Sequence, residues 1–163
     1  ACEHRGGEGP LRTSTRHADH PFVHAFLDAC DEAGLGRTAD FNGTRMEGGG
    51  IYDSTTHDGA RWSAAKAYLE PARGRPNLDI WTDVLVERVT FEERRATGVE
   101  LRRGRARQSV AAREVILCGG AINSPQLLML SGVGPAEELR ALGLPVVADS
   151  PNVGGNLQDH LDV

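Results

Sequence analysis

The chain has 163 residues, 39% of them hydrophobic and 25% charged, the proportions of a chain that can bury a core, so wholesale disorder is excluded. Its net charge of −5 argues against a nucleic-acid partner. The longest apolar runs, Val115–Cys118 and Leu127–Leu130, fall far short of the ~20 residues that cross a bilayer.

The chain begins at Ala1 with no charged-then-apolar leader, which sets the cytoplasm as the expected compartment and leaves open a processed terminus or a piece of something longer. Residues 1–60 are glycine-rich and poor in β-branched runs, and are expected to be loop-rich with one helix. That helix starts at Pro21, with Phe22, Val23, Phe26, Leu27 and Cys30 on one stripe, Asp28, Asp31 and Glu32 opposite, and Gly34 as its stop. Phe41-Asn42-Gly43 and Gly48-Gly49-Gly50 read as turns with close backbone approach. His17, His20 and His24 have metal-like spacing, but Pro21 biases His20 toward extended geometry, so the three are expected to be solvated rather than ligands. No CxxC pair links Cys2, Cys30 and Cys118; the latter two sit in apolar segments and are expected to be core thiols.

Residues 61–163 carry denser signal. Ser63 can cap a short helix through Leu69 that Pro71 ends. Strands are expected over Leu78–Thr82, Val84–Phe91, Thr97–Arg102 and Gln108–Ala112, with a hairpin at Glu92–Arg95. The apolar alternation changes phase between Val86 and Val89, which reads as a bulge. Arg102, Arg103, Arg105 and Arg107 form a basic turn, expected to be a solvated hairpin tip because no aromatic interleaves it. Glu114–Cys118 reads as a strand buried on both faces, running into Gly119-Gly120 and a helix with Ser124 as N-cap and Pro125 at its first position. Ser131–Gly134 ends that helix. A second one runs from Pro135 to Leu142 and stops at Gly143; Leu144–Ala148 is a short strand, and Pro151–Asp159 is a glycine-rich loop.

A strand, paired glycines and a helix start form either a plain α/β corner or a cradle for a phosphate-bearing ligand. Neither a GxGxxG fingerprint in the right place nor a GxxxxGK[ST] loop is present, and no G-x-S-x-G elbow positions a serine nucleophile.

The segment Gly120-Ala121-Ile122-Asn123-Ser124-Pro125-Gln126-Leu127-Leu128-Met129-Leu130-Ser131-Gly132-Val133-Gly134 resembles the second signature of the glucose–methanol–choline (GMC) flavin oxidoreductases, meeting every constrained position. Pro76-Asn77-Leu78, Ala96–Glu100, Glu114–Leu117 and Asn152–His160 resemble the family in the same order, with Gly7–Leu11 and Phe41–Gly43 as weaker echoes. The flavour is that of choline dehydrogenases and related alcohol dehydrogenases. This resemblance implies an α/β fold, mixed α+β within this stretch: part of a FAD-binding lobe with a β-meander and a strand–Gly-Gly–helix unit. Residues 1–60 would belong to the substrate-side lobe and 61–163 to the FAD-binding lobe.

The implied activity is oxidation of a primary or secondary alcohol by hydride transfer to FAD, with proton transfer to a histidine base. The main chain at Val86 would contact the adenine. Gly119, Gly120 and Ala121 would lie close to the cofactor, and the Asn156–His160 segment, with Gln158 and Asp159, would run along the flavin. The family's GxGxxG and its catalytic histidine match no part of residues 1–163, so the rest of the polypeptide would supply them; the catalytic set within this chain is empty, no metal is implied, and the isolated chain should not turn over. The alternative is a non-catalytic small α/β ligand-binding or interaction module.

Overall fold

A computed structural model describes residues 6–15 and 19–160. The sequence expectations for Cys2 and His17 fall outside them. The chain divides into two compact units, Ala1–Ile80 and Trp81–Val163, so the structural boundary lies about 20 residues beyond the change of composition near residue 60.

The first unit is mostly turns. Strand β1 (Ser14–Thr15) leads to helix α1 (Pro21–Glu32), where Pro21 takes the first position and the His20 ring nitrogen Nδ1 accepts the Phe22 N–H at 3.2 Å. Gly34, at φ +77, ends α1 as a Schellman motif: Leu35 N–H donates to Cys30 O and Gly34 N–H to Asp31 O, both at 3.0 Å. Only Leu27 and Cys30 of the expected stripe are buried; Phe22 and Phe26 are 77% and 61% exposed, because none of the described residues of this unit covers that half of the helix. The glycine run packs against the buried half. A Cβ on Gly49 would stand 2.8 Å from the Cys30 sulfur, and one on Gly50 would stand 2.5 Å from the Thr38 carbonyl. Arg37 reaches back to Asp28 and Asp31 on the polar face of α1, and those hydrogen bonds, Asp31 first, raise its pKa.

Strand β2 (Asp53–Ser54) pairs with β1, and β3 (Thr56–His57) with β4 (Ala60–Arg61), both antiparallel. The Ser63 hydroxyl accepts the Lys66 N–H at 3.3 Å, as its capping role requires. The turns that follow are a π-helix, Ala65–Leu69, running directly into α2 (Glu70–Ala72). Pro71 therefore sits near the start of a helical turn rather than beyond its end, a position where its missing N–H costs nothing. Leu78–Thr82 forms no strand; it has no ladder partner among the described residues.

The second unit opens with an antiparallel meander of β5 (Leu85–Glu92), β6 (Arg95–Arg103) and β7 (Ala106–Ala111), in that spatial order. The expected phase change is a register shift between Val86 and Arg88, and a second shift lies between Thr90 and Phe91. Val89 and Leu101 turn to the buried face at 5% and 4% exposure. Gly98 sits where β7 presses closest: a Cβ there would lie 2.1 Å from the Val110 carbonyl oxygen.

Glu114–Cys118 overturns the expectation of a buried strand. The segment has no ladder partner among the described residues, and Ile116 is 77% exposed. A strand buried on both faces needs neighbours on both edges, and these residues provide none. Cys118 is correspondingly exposed, whereas Cys30 is buried as expected.

Helix α3 (Gly120–Leu130) begins at the second glycine, so Ser124 and Pro125 lie inside it rather than at its start. Ser124 still serves the helix entry, its hydroxyl accepting the Gly119 N–H at 3.0 Å. Gly132, at φ +88, turns the chain out of α3 into β8 (Val133–Gly134), which pairs in parallel with β9 (Ala148–Asp149). Only the end of the expected Leu144–Ala148 strand is thus in a ladder. Between them lies α4 (Ala136–Ala141), whose first N–H is accepted by Asp149 Oδ1 at 3.1 Å. Gly143 closes α4 with a second Schellman pair, Leu144 N–H to Leu139 O at 2.8 Å and Gly143 N–H to Arg140 O at 3.0 Å. Leu139 is the fully buried side chain around which this corner packs.

Candidate functional site

Three pieces of the second unit enclose a cleft of about 910 Å³. Strand β5 is an edge of its sheet, so one side of its backbone faces away from β6. The unladdered Val115–Cys118 segment runs alongside, and α3 closes the third side through Ser124 and Leu127. Such a volume lies at the upper end of ordinary small-molecule sites, and the walls are mainly apolar with a few polar groups.

Charge on the sheet wall is paired. Arg88 makes a two-pronged bridge to Glu100, Nε to Oε2 and NH2 to Oε1, both at 2.8 Å. Glu87, the residue at the bulge, accepts from Arg102 Nε at 3.0 Å and forms an ion pair with Arg107 at the same distance. The hydrogen bond from Arg88 holds the Glu100 carboxyl below the usual carboxylate range, and the same bond raises the Arg88 guanidinium. This face therefore offers ion pairs already satisfied by each other rather than a lone charge waiting for a ligand.

A second cleft, of about 740 Å³, lies across α3, lined by Ala121, Pro125 and Met129 on the helix and by Gly154, Asn156 and Gln158 on the glycine-rich loop. Gln126 and Leu130 line both clefts, so α3 is a shared wall. Pro125 has no N–H to give, and the Ala121 carbonyl loses its usual helical donor at the margin of this second cleft.

The residues singled out by sequence divide between these spaces. Val86 and Gly119 line the first cleft; Ala121, Asn156 and Gln158 line the second. Gly120 sits at the helix start where the two meet, at φ +81, and a Cβ added to it would meet nothing within 4 Å. Asn156 holds a left-handed backbone at φ +54. Asp159 and His160 lie beyond the cleft walls, exposed, with Asp159 Oδ1 accepting the His160 N–H at 2.9 Å. Sequence reasoning missed Arg88, Glu100, Gln126 and Ser131. Opposite charges on adjacent strands would have flagged the first two once register was known; Gln126 and Ser131 lie inside the family motif, which marks neither of them individually.

These features suit a dinucleotide cofactor. The N–H groups of Gly120, Ala121 and Ile122 have no partner inside the 11-residue helix, and open space lies in front of Gly120. Such a helix start favours a polar or anionic group, and a backbone edge with apolar walls beside it suits a flat ring. Among the described residues, no group of three or more His, Cys, Asp or Glu side chains is placed to hold a metal ion, and no helix is long and apolar enough to cross a membrane.

Comparison with solved structures defines the class. The chain superposes on pyridoxine 4-oxidase from Mesorbium loti with a TM-score of 0.81 and 33% identity, over 90% of this chain and 29% of that one. It superposes on a FAD-dependent oxidoreductase from Chaetomium thermophilum with a TM-score of 0.79 and 29% identity, over 91% of this chain and 26% of that one. The fold is thus the mixed helix-and-strand portion of a FAD-binding oxidoreductase fold. The GMC oxidoreductase family model matches residues 4–162, and the chain belongs to that family. Mitochondrial choline dehydrogenase from Homo sapiens is 54% identical over 164 residues, covering all of this chain and 28% of that protein. The chain therefore spans less than a third of the length of the proteins it matches.

Proposed function

We propose that this chain is the part of a FAD-dependent enzyme that builds the cofactor cradle, and that the complete enzyme oxidises the CH–OH group of a small alcohol, choline foremost. The observation that carries this reading is the glycine-opened start of α3, set against an apolar segment and the free edge of β5. Bound FAD supplies the hydride acceptor for the carbinol carbon.

The chain's own residues bind and orient. The β5 edge at Val86 offers main-chain hydrogen bonds to a heteroaromatic ring, with Val115 and Leu117 against its face. Gly119, Gly120 and Ala121 would lie close to the bound cofactor, the open space before Gly120 letting it approach the backbone. The loop through Asn156 and Gln158 continues along the cofactor and shields the reacting region from water, and Asp159 and His160 extend it. The proton of the substrate hydroxyl goes to a histidine outside residues 1–163. The first unit contributes to the substrate-side lobe.

The full-length protein tests this directly. Mixed anaerobically with choline, it should lose its visible flavin absorbance as the cofactor is reduced. A protein that holds FAD but is not reduced by choline or by other primary or secondary alcohols would refute the activity. One that neither retains nor takes up FAD would refute the cradle.

A further inference from the structure

Ser131 lies within the motif that begins at Gly120, yet it lines neither cleft. Its side chain is nevertheless buried, at 5% exposure, and its hydroxyl makes two hydrogen bonds to two different walls. It accepts the Val89 N–H at 2.8 Å, on the edge of β5 that faces away from β6, and donates to the Leu127 carbonyl of α3 at 2.5 Å. Leu127 itself lines the first cleft, and Val89 is three residues along the edge strand from Val86, which also lines it. One oxygen atom thus ties the strand wall to the helix wall. Gly132 supports the tie from behind: a Cβ there would stand 2.6 Å from the Pro145 carbonyl, so the chain leaves α3 in one direction only.

We infer that Ser131 is a positioning residue that sets the spacing between the β5 edge and α3, and through that spacing the affinity of the first cleft for the adenine-bearing part of FAD. The inference rests on the cofactor reading above for its last step but not for the tie itself. Both bonds are needed. The Val89 N–H is turned away from its own sheet, and without an acceptor it would be a buried donor left unsatisfied, which pulls the strand toward water and away from the helix. A hydroxyl is the smallest group that both accepts from a strand and back-bonds to the carbonyl four residues earlier in a helix.

The test uses the full-length protein in three variants. Ser131→Ala removes both bonds without adding volume. Ser131→Thr keeps the hydroxyl, and threonine makes the same back-bond in helices. Leu139→Ala loosens the neighbouring α4 corner without touching either wall. By hydrogen exchange, Ser131→Ala should speed the Val89 amide by about tenfold or more and loosen residues 85–89 and 127–130, while Leu139→Ala should not. By flavin fluorescence titration, Ser131→Ala should raise the FAD dissociation constant about tenfold, with Ser131→Thr within about threefold of wild type and Leu139→Ala unchanged.

Unchanged exchange at Val89 in Ser131→Ala overturns the tie. Faster exchange with unchanged FAD affinity, or an equal affinity loss in Leu139→Ala, overturns the positioning role. A wild-type protein that binds no FAD refutes the cofactor reading and with it the affinity claim, while the exchange comparison still decides the tie.

Discussion

Replacing Gly98 by alanine should open the second unit's sheet at one defined place. Gly98 lies in the central strand β6, opposite Ala111 of β7, and its added Cβ would stand 2.1 Å from the Val110 carbonyl oxygen and 3.0 Å from Ala111 Cα. Those neighbours are backbone, so no side-chain rotation relieves the overlap; β7 must retreat by about 1 Å. That retreat breaks the Ala112 N–H to Thr97 O bond, now 2.9 Å, and weakens the Gly98–Ala111 pairing beside it. Two weakened backbone bonds at about 1 kcal/mol each, with about 1 kcal/mol of residual overpacking, give about 3 kcal/mol. Read by amide exchange in the full-length protein, that is about a hundredfold faster opening over residues 106–112. Gly74→Ala is the matched control: its Cβ meets nothing within 4 Å and its φ is not positive, so it should be neutral or stabilising by up to about 1 kcal/mol. Exchange in Gly98→Ala within about threefold of wild type would refute the packing argument, since the overlap would have been absorbed without moving β7.

Four further outcomes follow from particular residues. Leu139→Ala should cost about 2–5 kcal/mol locally, because a fully buried side chain is cut back beside Gly134, where little can collapse into the gap; exchange at residues 133–149 measures it. The carboxyl of Glu100 has its pKa depressed by Arg88, so the pair's stabilisation is present above the unfolded carboxylate pKa and is lost as pH falls through the lower folded value. Glu100→Gln should therefore lower stability slightly at neutral pH, the pair being exposed, and leave acid pH unchanged, so that the acid limb of the stability profile flattens. Gly120→Ala places a side chain at φ +81 in open space, costing about 1 kcal/mol of backbone strain; a loss of FAD affinity well beyond that shows that the cofactor approaches this backbone. Finally, the polypeptide 1–163 supplied with FAD and choline should show no dye reduction, and measurable turnover would place a base within it.

Punctuation is what the sequence conveyed most directly. Gly34 and Gly143 end helices as Schellman caps, Pro21 opens one, and the phase break after Val86 is a bulge, because each is decided by local backbone sterics that a few residues fix among themselves. The family motif was likewise legible, being a run of contiguous residues. The meander and the glycine corner followed in the expected order.

Where the two part company, the cause is most often a partner distant in sequence. Val115–Cys118 has the apolar run of a buried strand, yet burial belongs to whichever strands flank it, and none does so within the described residues. Ser124-Pro125 has the look of a helix start, but Gly119 and Gly120 begin the helix earlier, and proline is accepted in the second turn at the loss of one bond. The division of the expected cofactor residues between two sides of α3 could not be read from a linear motif, because neighbours along a helix face opposite directions. Ser131 shows the same limit most plainly. Its place in the motif was visible from the start, but the 42 residues separating it from Val89 hid the strand it holds, and only the folded chain brings that amide to its hydroxyl.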